Sequence, residues 1–249
     1  MKWFPLPLLA IGLLPGAWAQ HVGAPTDDLT KLGVDELFSV QVTSVGRKAQ
    51  RISKAPASVF VLTAEDIHRS GATSIPEALR WVPGVTVLSL DDRSWVVSIR
   101  GSARLYSDKI LVMIDGRSLY MPLFSGVIWD AIDVPLGDVE RIEVVRGPGA
   151  VMWGPNAVNG VINIITKKAN QTRGAQVTAS AGNETRSLES RWGEAPNDRI
   201  AYRIWGKLDS RTPAYGSPGD YYFDTYSFRD PSIRNLNTAT GRMGFRMDG

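Results

Sequence analysis

The rhythm of apolar and polar positions changes several times along the chain. Leu6 to Leu14 is almost continuously apolar, interrupted by Pro7, with Lys2 before it and Ala17-Trp18-Ala19 after it. A membrane-spanning helix needs about 18–20 apolar residues, so this stretch is too short to cross. A positive start, a short apolar middle and a small-x-small end predict a secretory signal peptide over residues 1–19, cut after Ala19. The mature chain then either stays soluble outside the cytoplasm or meets a membrane as a β-barrel.

Residues 20–54 lack a core pattern. Acids come first (Asp27, Asp28, Asp35, Glu36), then bases (Arg47, Lys48, Arg51, Lys54). Within them Phe38, Val40 and Val42 alternate with Ser39, Gln41 and Thr43, the period of an extended strand. Such a segment is either an edge strand of the following domain or a free strand that adds itself to a partner's sheet.

From residue 55 to 168 short strands and short helices interleave. Val59–Leu62 reads as a strand. Thr63 with Asp66 starts a helix and Gly71 stops it. Ser74 and Glu77 predict a second capping box, in a helix that must end by Pro83-Gly84. Strands follow at Val85–Leu88, Val96–Arg100, Leu111–Ile114, Arg141–Val145 and Val161–Thr166, with Asp115-Gly116 as a hairpin turn. The expectation is a small α+β domain with a mixed sheet.

Beyond residue 174 the period is two throughout. Ala175, Val177, Ala179 and Ala181 alternate with polar residues, and Gly182-Asn183 turns the chain. Leu188–Trp192, Ile200–Leu208 and Gly241–Met247 continue as strands, separated by a Pro-, Gly- and Tyr-rich loop over 212–230. One polar and one apolar face suits transmembrane β-strands, although surface strands of soluble sandwiches alternate as well.

Composition narrows the chemistry. The 249 residues hold no cysteine and only two histidines, His21 and His68. Disulfides, thiolate zinc sites, cysteine nucleophiles and a three-histidine metal site are therefore excluded within this chain. A net charge of +3 is too small to argue for nucleic acid. The glycine-rich run from Arg146-Gly147-Pro148-Gly149 to Gly154-Pro155-Asn156 lacks the Lys-Ser/Thr ending of a phosphate cradle, so its glycines are expected to serve turns and close packing. Asp91, Asp92, Asp130, Asp133 and Asp138 are expected to be turn caps and solvated charges, the alternative being acid–base pairs. His68 is expected on the helix surface. No enzyme, no cofactor and no metal site is expected.

Six segments in order resemble the N-terminal plug of TonB-dependent outer-membrane receptors. They are Ala55–Ile67 (APASVFVLTAEDI), Ile75–Val85 (IPEALRWVPGV), Ser98–Gly101 (SIRG), Ile114–Arg117 (IDGR), Val139–Gly147 (VERIEVVRG) and Trp153–Thr166 (WGPNAVNGVINIIT). The resemblance implies a plug domain over 55–168 and the first antiparallel strands of a transmembrane β-barrel over 174–249. A barrel of this family has about 22 strands of roughly ten residues, so the stretch after Arg173 cannot close one and a fragment or truncated product is expected. The resemblance further implies location in the cell outer membrane, contact with its lipid, and uptake of a scarce nutrient such as a ferric siderophore or similar metal chelate. Energy would come from the periplasmic partner TonB, through a TonB box at Gln41, Val42, Thr43, Ser44 and Val45. Ligand contacts are expected from Arg93, Trp95, Arg104, Tyr106 and Tyr120, whose arginines suit an anionic chelate and whose rings suit stacking. A secreted soluble binding domain without a transport role is the alternative.

Overall fold

The computed structural model describes residues 41–42, 44, 50–51, 57–90, 94–101, 106–132, 134–147, 153–154, 156–183, 185–197, 200–211 and 238–248. Two short strands, β1 (Gln41–Val42) and β2 (Gln50–Arg51), pair antiparallel, Val42 opposite Gln50. The strand β3 (Ser58–Thr63) then leads into helix α1 (Ala64–Ser70). The expected capping box is present: Asp66 N–H donates to the Thr63 hydroxyl and Thr63 N–H donates to the Asp66 carboxylate. Gly71 ends the helix at φ 68°, a left-handed conformation that L side chains avoid.

Helix α2 (Ile75–Leu79) departs from expectation by one residue. Ser74 is its N-cap but makes no side-chain cap bond; Glu77 reaches back instead to accept from the Thr73 N–H and hydroxyl (2.7 and 2.8 Å). Pro76 in the first turn supplies a fixed φ there and needs no N–H partner. The hairpin of β4 (Val85–Ser89) and β5 (Trp95–Ile99) follows, as a two-stranded sheet of its own.

The centre is a five-stranded mixed sheet. Its remaining strands are β6 (Ile110–Ile114), β7 (Arg117–Ser118), β8 (Val139–Arg146) and β9 (Gly160–Thr166), in the order β3-β8-β9-β6-β7. Only β6 and β9 run parallel. Asp115-Gly116 makes the β6–β7 turn with φ 48° and 79°, as the dipeptide predicts. One face carries Val112, Ile142, Val144, Ile162 and Ile164, buried against α1, α2 and the β4–β5 hairpin. On the other face Leu111, Met113, Val145 and Val161 pack with Ala157 and Trp153. A Cβ at Gly160 would lie 2.4 Å from Val145 O, so close packing demands glycine there.

The second body is an antiparallel sheet in sequence order: β10 (Gly174–Ala181), β11 (Thr185–Asn197), β12 (Ile200–Arg211) and β13 (Thr238–Asp248). Register sets Ala175 beside Trp192, Trp192 beside Ile204 and Ile204 beside Phe245, one apolar row across four strands. Leu188, Leu208, Met243 and Met247 share that exposed face. Arg191, Arg203, Lys207, Arg242 and Arg246 occupy the opposite face, toward the first body.

Candidate functional site

The inner face of the four-stranded sheet sets like charges side by side. Arg203 lies directly opposite Arg246, and Lys207 opposite Arg242. Such pairs repel unless counter-charges lie between them. The first body supplies these. Asp138, 1% exposed, ion-pairs with Arg191 and with Arg203 (3.2 Å). Asp130 accepts from Arg242 (2.9 Å), and Asp115 accepts from Arg246 (2.8 Å) while also holding the Thr166 N–H and hydroxyl (both 2.8 Å). Within the four-stranded sheet Glu189 pairs with Lys207 (2.9 Å). Asp130 and Asp138 thus depart from the expectation of solvated turn caps and from its acid–base alternative: Asp130 docks Arg242, and Asp138 docks both Arg191 and Arg203. Asp91, Asp92 and Asp133 lie outside the described residues.

Burial holds the Lys167 ammonium, beside this network, below the usual lysine range, and the Arg191 guanidinium pushes it the same way. His68 is exposed on α1.

At the segment Gln41–Val45 the described residues are Gln41, Val42 and Ser44; Thr43 and Val45 lie outside them. Val42 is 0% and Ser44 1% exposed. Ser44 donates its N–H and hydroxyl to Glu143 Oε2 (2.8 and 2.6 Å) and accepts from Trp153 Nε1 at its carbonyl (2.7 Å). Arg141 Nε donates to the other carboxylate oxygen of Glu143 (2.9 Å). Ser44 is thereby docked on the second face of the five-stranded sheet. Beside it lies a groove of about 730 Å³, with Arg141 and Trp153 in its wall.

The ring candidates part company. Trp95 is 8% exposed, belongs to the core, and has the Arg80 guanidinium 5.5 Å from its ring centroid. Tyr106 and Tyr120 reach the surface, and Tyr106 packs against Phe124 with centroids 5.3 Å apart. Arg93 and Arg104 lie outside the described residues. Met121, Leu123 and Phe124 join Tyr106 in an exposed apolar cluster, Leu123 at 82%. Sequence reasoning passed over this cluster; the signal was an apolar run, Tyr120-Met121-Pro122-Leu123-Phe124, lying between strands rather than within one.

The base beneath the cluster is stiff. Trp129 Nε1 donates to the Ser107 hydroxyl (3.1 Å), which donates to Val97 O (2.7 Å). A Cβ at Gly126 would stand 1.9 Å from Tyr106 O, so only glycine lets these two loops touch.

A family model, TonB-dependent Receptor Plug Domain, matches residues 51–161. The iron-regulated outer membrane virulence protein of Vibrio cholerae serotype O1 is 39% identical over 219 residues, 83% of this chain and 31% of that one. The vitamin B12 transporter BtuB of the same organism is 37% identical over 143 residues, 57% of this chain and 23% of that one. This chain thus spans less than a third of either relative. Among solved structures, the ferripyoverdine receptor of the outer membrane of Pseudomonas aeruginosa superposes with a TM-score of 0.54 at 18% identity, over 69% of this chain and 22% of that one; this likeness is one of fold. Motif order, mixed sheet, antiparallel wall strands and relatives agree: this chain belongs to the TonB-dependent receptors, with residues 51–161 matching their plug domain.

Proposed function

We propose that this chain is the plug and first wall strands of an outer-membrane active-transport receptor for a scarce nutrient, a ferric siderophore or similar metal chelate, gated by TonB. Residues 1–19 are its signal peptide, 20–54 the periplasmic segment, 55–168 the plug and 174–249 the start of the barrel. One observation carries the reading: the wall sheet turns its apolar row outward and holds the plug by ion pairs on its inward row. That is how a lipid-facing barrel wall with a filled lumen must be built. The names of the relatives, a vitamin B12 transporter and an iron-regulated outer membrane protein, support uptake of a metal-bearing nutrient.

In this reading Gln41–Val45 is the TonB box. Main-chain hydrogen bonds to an incoming strand make such a contact tolerant of sequence. Ligand contacts fall to Tyr106 and Tyr120, together with Arg93 and Arg104. The neighbouring Met121, Leu123 and Phe124 widen the platform, while Trp95 supports it from within the core. Val42→Pro in the complete receptor removes a main-chain donor and should abolish energised uptake while leaving binding intact. The probes are a panel of radio-iron-loaded siderophores and labelled cobalamin. Unchanged uptake of whichever probe the receptor binds would overturn the TonB-box assignment.

A further inference from the structure

Glu143 stands in the middle of a sheet face that is otherwise largely apolar. Its cross-strand neighbours are Val61 on β3 and Asn163 on β9, with Met113 next in the row. The side chain is 0% exposed. A carboxylate in such a place is costly unless donors surround it. Arg141, two residues along the same strand, supplies one. The Ser44 N–H and hydroxyl come from 99 residues away in sequence, and they belong to the segment assigned above to the partner. Trp153 closes the third side by donating to the Ser44 carbonyl.

We infer that Glu143 is a positioning residue: a carboxylate latch that, with Trp153, holds the β1–β2 hairpin down on the plug and so sets how often β1 is free to pair with an incoming strand. The inference rests on the reading of Gln41–Val45 as the partner-binding segment and adds what controls it. Three polar contacts converge on one residue, Ser44, whereas β1 and β2 pair over only two residues each. The hairpin therefore does not hold itself in place, because two-residue strands are too short to be stable alone. Lifting it exposes Glu143 to water, which replaces the lost donors. The latch is consequently weak enough to open: charge-assisted bonds trade against hydration and leave only a modest net gain.

The test places a single reporter cysteine at position 42 of the complete receptor in outer-membrane vesicles, by Val42→Cys with other cysteines removed, and reads its rate of maleimide labelling. Glu143→Ala should raise that rate by about tenfold or more, the scale of losing charged hydrogen bonds. Ser44→Ala, which removes one bond to the carboxylate, should raise it by about tenfold, and Trp153→Phe, which removes one neutral bond, by roughly threefold; both leave the sheet carboxylate in place. Glu140→Gln, on the exposed neighbour that also pairs with Arg141, should leave it unchanged. A second reporter, Val112→Cys on the buried face, must stay protected in every variant, which separates hairpin release from plug unfolding. Unchanged labelling at position 42 in Ser44→Ala and Trp153→Phe, with position 112 protected, would overturn the latch. Because labelling needs neither ligand nor TonB, that outcome is distinct from failure of the Val42→Pro uptake experiment.

Discussion

In the plug sheet the aliphatic row Val112, Ile142, Val144, Ile162 and Ile164 is buried under α1, α2 and the β4–β5 hairpin. In the wall sheet the corresponding row, Val177, Leu188, Ile204, Leu208 and Phe245, is exposed, and the charged row faces protein. The plug sheet buries apolar side chains on both faces, whereas the wall sheet alternates with period two and turns its charged row toward protein. Alternation says only that a strand separates two environments; the medium on each side decides which row is which. The wall's inner row then needs counter-charges. The plug provides them at Asp115, Asp130 and Asp138, so the wall sheet's charge pattern makes sense only with the plug beside it.

The largest expected effect comes from placing the same charge in both sheets. Ile162→Lys puts an unpaired ammonium into the plug core and should cost on the order of 5 kcal/mol, read as loss of protease resistance of residues 55–168 with or without lipid. Asp138→Asn comes next. It leaves Arg191 and the nearly buried Arg203 without their carboxylate and should lower stability by about 3 kcal/mol in urea titration. Adding Arg203→Met should restore more than half of that loss, since the two residues form one interaction. If the double variant lost as much as Asp138→Asn and Arg203→Met alone added together, Asp138 and Arg203 would carry no coupling energy.

Ile204→Lys, on the outward row, should cost about 2 kcal/mol when the protein is in a bilayer and almost nothing in detergent that wets the lysine. A smaller effect belongs to Lys167. Its folded pKa is lowered, so the unfolded chain binds more protons between that value and 10.5. Stability should therefore rise with pH across that window. The rise should be absent in Lys167→Met, measured as the difference in unfolding midpoint between the two proteins from pH 8 upward.

Local chemistry was legible in the sequence; contacts across the chain were not. The Thr63–Asp66 cap, the Gly71 stop, the Asp115-Gly116 turn and the apolar alternation at Ala175–Ala181 are each decided within a few residues, and each is found as expected. The Ser74–Glu77 box failed because Thr73 offers both an N–H and a hydroxyl one step earlier. Trp95, expected among the ligand contacts, stands one residue before the strand read from the sequence at Val96–Arg100. The strand begins at Trp95 itself, and its ring packs into the core. The docking of Ser44 on Glu143 could not be read at all, since only the fold brings those two residues together. The same holds for Asp138 with Arg191 and Arg203, where spacing carries no sign of which face each strand turns inward.

The central claim is that one chain joins a water-facing plug to a lipid-facing wall, and Trp192 and Trp129 report on the two halves. Trp192 lies on the exposed apolar row, and Trp129 is 3% exposed inside the plug. The decisive measurement is fluorescence of single-tryptophan variants of the complete receptor, each keeping one of these two, reconstituted into vesicles with brominated acyl chains. Strong quenching of Trp192 with little quenching of Trp129 is the predicted result. Equal, weak quenching of both would contradict it and return the chain to the class of secreted soluble binding domains.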